Sequence, residues 1–498
     1  MKQLVLAIDQ STSATKAVLF DHQGKLVAKV AVPHRQYVNE KGWVEHDPEE
    51  IYHNLHRAVH DVLEHAGIDG KEIVAAGLSN QRETTVLWDV RTGEPVYPAI
   101  VWQCGRAQEI CNRLQSQSTY VKHASGLNLS PYFSAAKMNW IVEHIPQAAA
   151  LQRQGVLVAS TIDAWLVYRL SGGKCVKTEP ANASRTQLMN IKDQRWDDGL
   201  IHLFGLDGCI FPEICESDFC FCMTDFEKAL PVSVPLHCVL GDSQSALFAQ
   251  GCLQPGMVKV TYGTGSSVMM NTGVACIASE DLVTSVGWRM HDQFCYVLEG
   301  NINYSAATIQ WLKEDLRLIQ SASEVSSTAE QATGNRDVFF VPAFSGLSAP
   351  YWCPSAKALI CGMDRSTRKE EVVRAAEESI GYQIQDILAL MERDSRLPIT
   401  SLRVDGGPTR DAFLMQFESD VSQKEVWVPD LEELSAQGVA YGAGLGVGWY
   451  QAVDCFRHDY KAIFKPRMTE EERKMRCGKW KKAVRLAMYY STLEKEEI

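Results

Sequence analysis

Leu4-Val5-Leu6-Ala7-Ile8 runs into Asp9-Gln10-Ser11-Thr12-Ser13-Ala14-Thr15 and then into Lys16-Ala17-Val18-Leu19-Phe20. Two apolar runs of about five residues joined by a polar turn read as a β-hairpin. The second run ends at another turn, Asp21-His22-Gln23-Gly24. A hydroxyl-rich turn with a carboxylate at its mouth has the chemistry of a phosphate and Mg2+ site. Backbone N–H groups and hydroxyls face phosphate oxygens, and the carboxylate faces the metal or its waters. Polar-turned hairpins also occur with no ligand at all, so the meaning of this one depends on the rest of the chain.

The pattern returns half a chain later. Gly256-Met257-Val258-Lys259-Val260-Thr261 reads as a strand, Tyr262-Gly263-Thr264-Gly265-Ser266 as a glycine- and hydroxyl-rich turn, and Ser267-Val268-Met269-Met270 as a second strand. A lone glycine turn is a weak signal. Two related hairpins suggest two similar domains facing one nucleotide. Between them, Val239-Leu240-Gly241-Asp242 is a strand that ends as a helix begins. Catalytic groups sit at the carboxyl ends of strands in α/β folds. Asp242 there can accept a proton from an attacking hydroxyl, and it can equally cap the helix. A third glycine turn, Asp405-Gly406-Gly407-Pro408, precedes a helix from about 412 to 421 and lets a planar ligand approach the backbone closely. The small-residue run from Leu434 to Gly446 reads as a closely packed helix.

The 498 residues are too many for one ordinary core and indicate at least two domains. With 46% hydrophobic and 22% charged residues the composition is that of a soluble globular protein. A net charge of −12 argues against nucleic acid as a main partner. No apolar run approaches the roughly twenty residues that span a bilayer. Met1-Lys2-Gln3 leads straight into the first strand without a cleavage site, so no signal peptide is expected and a cytoplasmic location is. Fifteen scattered cysteines fit a reducing cytoplasm and free thiols. Cys209, Cys215, Cys220 and Cys222 cluster, but not at the CxxC spacing of structural zinc.

Between the hairpins, Asp47 is placed to cap a helix from Pro48 to Ala66. His53, His56, His60 and His65 fall on it as a solvated face. Ile73 to Leu78 reads as a strand ending at Ser79-Asn80-Gln81-Arg82-Glu83. A charged pair between buried strands is either an ion pair or a grip on the hydroxyls of a polyol. Trp102, Tyr132 and Trp140 are core aromatics or the apolar wall of such a pocket. Helices are expected near 134–145, 162–170 and 196–203. Phe211 to Pro235 reads as an irregular excursion on the surface or between domains. The last thirty residues read as a solvated amphipathic helix.

Taken together, AIDQSTSATKAVLFD, GWVEHDPEEIY, SNQRETTVLWD, PYFSAAKMNW, NASRTQLMNI, GDSQSALF, TYGTGSSVMMNTG, VPAFSGLSAPYW and RVDGGPTRDAFLMQFESD resemble the FGGY carbohydrate kinases nearly end to end, and within them the glycerol kinase branch. The resemblance implies an α/β fold of two ribonuclease H-like (actin-like ATPase) domains, 1–247 and 248–498, with an active-site cleft between them. The first would bind the polyol or sugar and carry the first phosphate hairpin and the catalytic Asp; the second would bind the nucleotide. The implied reaction is ATP-dependent phosphorylation of a primary hydroxyl of a small polyol, glycerol to glycerol 3-phosphate in that branch. The cofactors are ATP and Mg2+, and the assembly is a homodimer or homotetramer. By position, Asp242 matches the general base. Arg82, Glu83, Trp102, Tyr132, Asp242, Ser243 and Ser267 match substrate positions. Thr12, Ser13, Lys16, Thr264, Gln310, Gly407 and Asp411 match nucleotide contacts, and Asp9 with Asp242 the metal site.

The chain also departs from the family pattern. Ser11 replaces a glycine, and Lys16 an arginine, which keeps the charge and loses the bidentate fork. Ser243 stands for a glutamine and Ser267 for a phenylalanine of the substrate pocket. Ala306 stands for a glycine and Asp411 for an asparagine of the nucleotide site. The Gly-Gly-Thr-Arg loop that binds fructose 1,6-bisphosphate and the phosphorylated histidine loop of some bacterial relatives have no match. Two alternatives to glycerol therefore stand: a kinase for a larger polyol or ketose such as erythritol or a pentulose, and a non-catalytic actin- or Hsp70-like nucleotide-binding module.

Overall fold

The computed structural model describes residues 3–290, 293–430, 433–450, 456 and 459–496. The first hairpin consists of strands Leu4–Gln10 and Ala14–Phe20, paired from Val5↔Phe20 to Gln10↔Thr15. The strands reach further than the apolar runs, and the turn shrinks to Ser11-Thr12-Ser13. Ser11 closes it: both its N–H and its hydroxyl donate to the carbonyl of Ala14 at 2.9 Å. Asp9 is therefore carried on a strand and not on a mobile turn.

Six strands make the first large sheet, in the order Cys222–Thr224, Val234–Gly241, Ile73–Asn80, Leu4–Gln10, Ala14–Phe20, Leu26–Pro33. Seven make the second: Val283–Met290, Gln293–Ile302, Ser266–Gly273, Val258–Tyr262, Ser401–Gly406, Glu425–Pro429, Tyr460–Phe464. Both contain the same core. An antiparallel meander of three strands is followed by two strands parallel to its first. The two hairpins read from the sequence start the two meanders. This is the expected pair of ribonuclease H-like sheets. A five-stranded satellite sheet, built from Tyr37–Val38, Val44–His46, Ala99–Ile100, Thr85–Asp89 and Leu157–Thr161, flanks the first.

The helix Leu434–Gly446 joins the halves. It comes from the second half of the chain but packs on the first sheet and on the helix Asp242–Ala249. Its glycines permit that approach. A Cβ on Gly438 would lie 2.1 Å from the Ser245 carbonyl oxygen, and the backbone of Val439 sits where a Cβ on Gly77 would be. The shared core there includes Val5, Leu240, Phe248, Trp288, Val439 and Tyr441.

Other elements match their reading closely. The helix Pro48–Ala66 is capped by Asp47, whose carboxylate accepts from Glu49 N at 2.9 Å. On it His53, His60 and His65 are exposed, while His56 tucks against Tyr52 and Phe226. One reading needs correction. The segment 211–235 is not a surface excursion: Phe221, Cys222, Phe226 and Leu230 enter the core, and Cys222–Thr224 is the sheet edge. The terminal helix Glu470–Glu496 is amphipathic, with Trp480, Ala483, Val484 and Ala487 buried along one face. The described cysteines are all free, and Cys209, Cys215, Cys220 and Cys222 form no metal-binding group.

Gly438→Val should push the bridging helix off Ser245. Overpacking of this kind costs about 1–3 kcal/mol, read as a lower Tm, with a loss of activity larger than a matched substitution at exposed Gly478 produces.

Candidate active site

A cavity of about 130 Å³ opens between the two sheets, at the carboxyl ends of the central strands. Asp9, Lys16, Asp242, Lys259, Asp405 and Glu433 are among the residues that line it. Asp9 and Lys16 face each other across the first hairpin, with Lys16 Nζ 3.4 Å from the Asp9 carboxylate. Lys16 also reaches Glu433 at 2.8 Å, as Lys29 does at 2.9 Å. Glu433 immediately precedes the bridging helix, so the helix is tied to the hairpin. Burial pushes the Asp9 carboxyl up to about 6 against the pull of Lys16, and its Oδ1 has no hydrogen-bond partner.

An orphaned, buried carboxylate oxygen is what a hard cation satisfies. Mg2+ takes one or two carboxylates and completes its shell with waters and phosphate oxygens. Asp9, Asp242 and Asp405 fit that role as separate ligands. They do not form a closed cage: among the described residues only His60, Asp61 and Glu64, on a surface helix, bring three ligand atoms within 4.8 Å of one another.

Asp242 opens its helix at the end of the strand Val234–Gly241. Its carboxylate lies 3.4 Å from Arg82 Nε and accepts from Ser243 N at 2.6 Å. Arg82 and Glu83, adjacent in sequence, do not pair with each other. The Arg82 guanidinium forks onto Glu299 with bonds of 2.8 and 3.0 Å. Glu83 accepts from Arg185 Nε at 2.6 Å, and Arg185 continues the chain to Glu299 at 3.1 Å. All four side chains are buried. Although burial alone would raise it, Glu299 is held far below the ordinary carboxylate range by Arg185 and Arg82. Glu83 has left-handed backbone, φ 59°, pinned by Ser134 and Thr85 hydroxyls on its carbonyl. Strain of this kind persists where the surroundings over-determine it.

Next to this cluster stands the aromatic wall. Trp102 and Tyr132 lie with ring centroids 5.6 Å apart. Trp102 Nε1 donates to the Thr12 hydroxyl at 3.0 Å, which links the wall to the tip of the first hairpin. The buried Lys137 ammonium donates to the carbonyls of Pro131, Tyr132 and Phe133 and fixes the Tyr132 loop. Burial lowers its pKa to about 7. Trp140 belongs elsewhere, in the core against Trp43 and His144.

The second sheet presents a polar face to the cleft. Register places Thr261 beside Ser267 and Asp405, and Ser267 beside Asn301. Lys259 and Glu299 share that face. The Ser267 hydroxyl is buried and has no hydrogen-bond partner, while the Thr261 hydroxyl bears on the Asp405 carboxyl and opposes the upward push of burial there. Ser243 lines the cavity directly.

The remaining predicted nucleotide contacts spread outward. Ser13 is exposed at the hairpin tip. Thr264 holds the second turn by accepting Ser305 N and Ala307 N on its carbonyl. Gly407 is exposed and follows Gly406, whose φ of 98° and contact with Tyr262 only glycine tolerates. Asp411 caps the helix Ala412–Ser422 and accepts from Ser326. Gln310 is exposed and bonded to Glu314. Arg185, Glu299, Lys259, Asp405 and Glu433 were not anticipated. The signal available for Lys259 was a single charge inside an apolar strand.

Residues 4–249 match the N-terminal domain and residues 258–447 the C-terminal domain of the FGGY family of carbohydrate kinases. The chain belongs to the FGGY family of carbohydrate kinases. Among curated relatives of this FGGY kinase, glycerol kinase 1 of Thermotoga maritima is 45% identical over 97% of the chain and 99% of its own length. A glycerol kinase of Alkaliphilus metalliredigens is 39% identical over the whole of both chains. A crystal structure of Plasmodium falciparum glycerol kinase with ADP superimposes with a TM-score of 0.92 at 32% identity, over 98% of each chain. A xylulose kinase of Lactobacillus acidophilus shares the fold at 19% identity and a TM-score of 0.86, over 99% of this chain and 98% of that one.

Glu299→Gln leaves two buried guanidiniums short of a counter-charge. Breaking such a pair costs about 3–5 kcal/mol. The sign with pH follows from the depressed carboxyl. Its contribution is present above the ordinary carboxylate range and is lost as pH falls through that range and below. Thermal melts from pH 7 down to pH 3 should show a lower Tm for the variant at pH 7 and a gap to the parent that narrows on acidification.

Proposed function

We propose that this chain transfers the γ-phosphoryl group of ATP to a primary hydroxyl of glycerol, giving glycerol 3-phosphate and ADP. The observation that carries the reading is that two chemistries meet at Asp242, which lines the cavity and lies 3.4 Å from Arg82. Arg82, Glu83, Trp102 and Tyr132 offer hydrogen bonds and an apolar wall to a short polyol. Asp9, Lys16 and the two hairpins offer charge and backbone donors to phosphates. Asp242 stands between. Relatives named glycerol kinase at 39–45% identity and the ADP complex of the Plasmodium enzyme support the same substrates.

In this reading Arg82 and Glu83 hold the acceptor so that one hydroxyl points at Asp242. The Asp242 carboxylate accepts the hydroxyl proton as the new P–O bond forms and the bond to the ADP oxygen breaks. Asp9, Asp242 and Asp405 are the residues that would hold Mg2+, which neutralises phosphate charge when bound. Most of the catalysis is positioning and charge neutralisation, as in other phosphoryl transfers. Closure of the halves over the cleft keeps out water, a competing acceptor. Free thiols at the described cysteines suit a reducing cytoplasm.

A second reading rests on the small hydroxyls Ser243, which lines the cavity, and Ser267, which is buried with no hydrogen-bond partner. They offer polar contacts that a three-carbon polyol need not use, and favour an acceptor with four or five carbons. ADP release measured over glycerol, erythritol and pentuloses decides. The primary reading expects the highest kcat/KM for glycerol; a higher value for erythritol or a pentulose transfers the assignment to the second. The absence of any polyol-stimulated turnover would leave the non-catalytic module. Asp242→Asn should lower kcat by about 10²–10⁴-fold with ADP affinity by calorimetry unchanged; retained turnover removes Asp242 from the role of base.

A further inference from the structure

Lys259 is a buried ammonium in the cleft with no partner at contact distance among the described residues. It lies on the strand Val258–Tyr262 between Val258 and Val260, both in the core. Its side chain takes the opposite face of the strand and lines the catalytic cavity. It is 1% exposed. Among the described residues it makes no ion pair and no hydrogen bond. Every other cation of the cleft has a partner at contact distance: Lys16 has Glu433, Arg82 and Arg185 have Glu299. Asp405, Asp242 and Glu299 act on Lys259 only through space. Desolvating an ammonium without a bound counter-ion is costly. A buried cation held in that condition, aimed into a cavity, is a site waiting for an anion.

Which anion follows from position. Lys259 sits one strand from Asp405 and across the cavity from Asp9 and Lys16, so it shares its space with Asp242 and the residues assigned to phosphate. The adenine end of a nucleotide, beyond the glycine turns, carries no negative charge. The acceptor is neutral. The group that carries charge into this space is the phosphoryl group in transit.

We infer that the Lys259 ammonium binds the transferring phosphoryl group, as a γ-phosphate oxygen contact in ATP and as a contact to the same group once it is esterified to the acceptor. The inference rests on the phosphotransfer reading of this cleft and adds to it a residue from the second sheet. During transfer the P–O bond to ADP breaks, the bond to the acceptor oxygen forms, and the acceptor proton passes to Asp242. Lys259 gains and loses no proton. It holds charge that is on the γ-phosphate and absent from ADP.

That difference is the test. Mg2+ complexes of AMP-PNP and of ADP are titrated by calorimetry into the parent, Lys259→Met and Lys259→Arg, alongside kcat with glycerol. For Lys259→Met the expected outcome is AMP-PNP binding weaker by about 10- to 100-fold with ADP binding unchanged. kcat should fall by roughly 10²–10³-fold, and Lys259→Arg should restore part of the AMP-PNP preference. Equal losses for both nucleotides, or none for either, overturn the inference and make Lys259 a structural counter-charge to Asp405. If Lys259→Met does not fold, the same comparison is made on Lys259→Gln against the parent, where an unchanged ratio of AMP-PNP to ADP affinity overturns it. A parent that binds neither nucleotide overturns the phosphotransfer reading itself. A parent that binds both but phosphorylates a different polyol leaves this inference standing.

Discussion

The cleft depends on a chain of buried charge: Arg82 to Glu299, Glu299 to Arg185, Arg185 to Glu83. Two guanidiniums and two carboxylates balance. Each alone would cost several kcal/mol to bury, and together they satisfy one another with short, partly bidentate bonds. Three members come from the first half of the chain and Glu299 comes from the second sheet. The chain of charge is therefore both a link between the two sheets and, in the proposed reading, the support under the residues that face the polyol. Arg82 is fixed on one side by Glu299 and points its remaining Nε at Asp242. In that reading, acceptor grip and general base are set by one guanidinium.

Around that chain of charge the two sheets behave as copies with different duties. In both, a hairpin places its turn at the cleft. The first hairpin carries a carboxylate, Asp9, one pair from the end of its ladder. The second carries a cation, Lys259, two residues deeper on the same face as Thr261, the residue that matches Asp9. The bridging helix Leu434–Gly446, seated on Ser245 through Gly438 and tied to Lys16 and Lys29 through Glu433, holds the copies in register. Each sheet brings a carboxylate and an ammonium to one small cavity, Asp9 with Lys16 and Asp405 with Lys259, which suits a reaction that moves a charged group between two bound molecules.

Local features were legible in the sequence. The two hairpins, the Asp47-capped helix and the helix beginning at Asp242 all rest on neighbours a few residues away, through apolar alternation, caps and turn chemistry. The resemblance supplied the family and, by position, the cavity-lining Asp9, Lys16, Asp242 and Ser243. The buried chain of charge was not legible. Arg82 and Glu299 are separated by 217 residues, and the adjacency of Arg82 and Glu83 suggested an ion pair that the structure breaks in favour of two distant ones. Ser11, which reads as a lost glycine, is explained only by the hydrogen bonds that close its turn. The segment 211–235 looked irregular because its buried residues lack a period, and it packs by tertiary fit.

The measurement that bears most directly on this account is a double-mutant cycle between the halves. Glycerol affinity is determined by calorimetry for the parent, Arg82→Lys, Glu299→Asp and the double variant. If Glu299 orients Arg82 for the acceptor, the two substitutions are strongly non-additive, with a coupling on the order of 1–3 kcal/mol. Additive losses would contradict the account, because Arg82 would then meet the polyol without help from the second sheet.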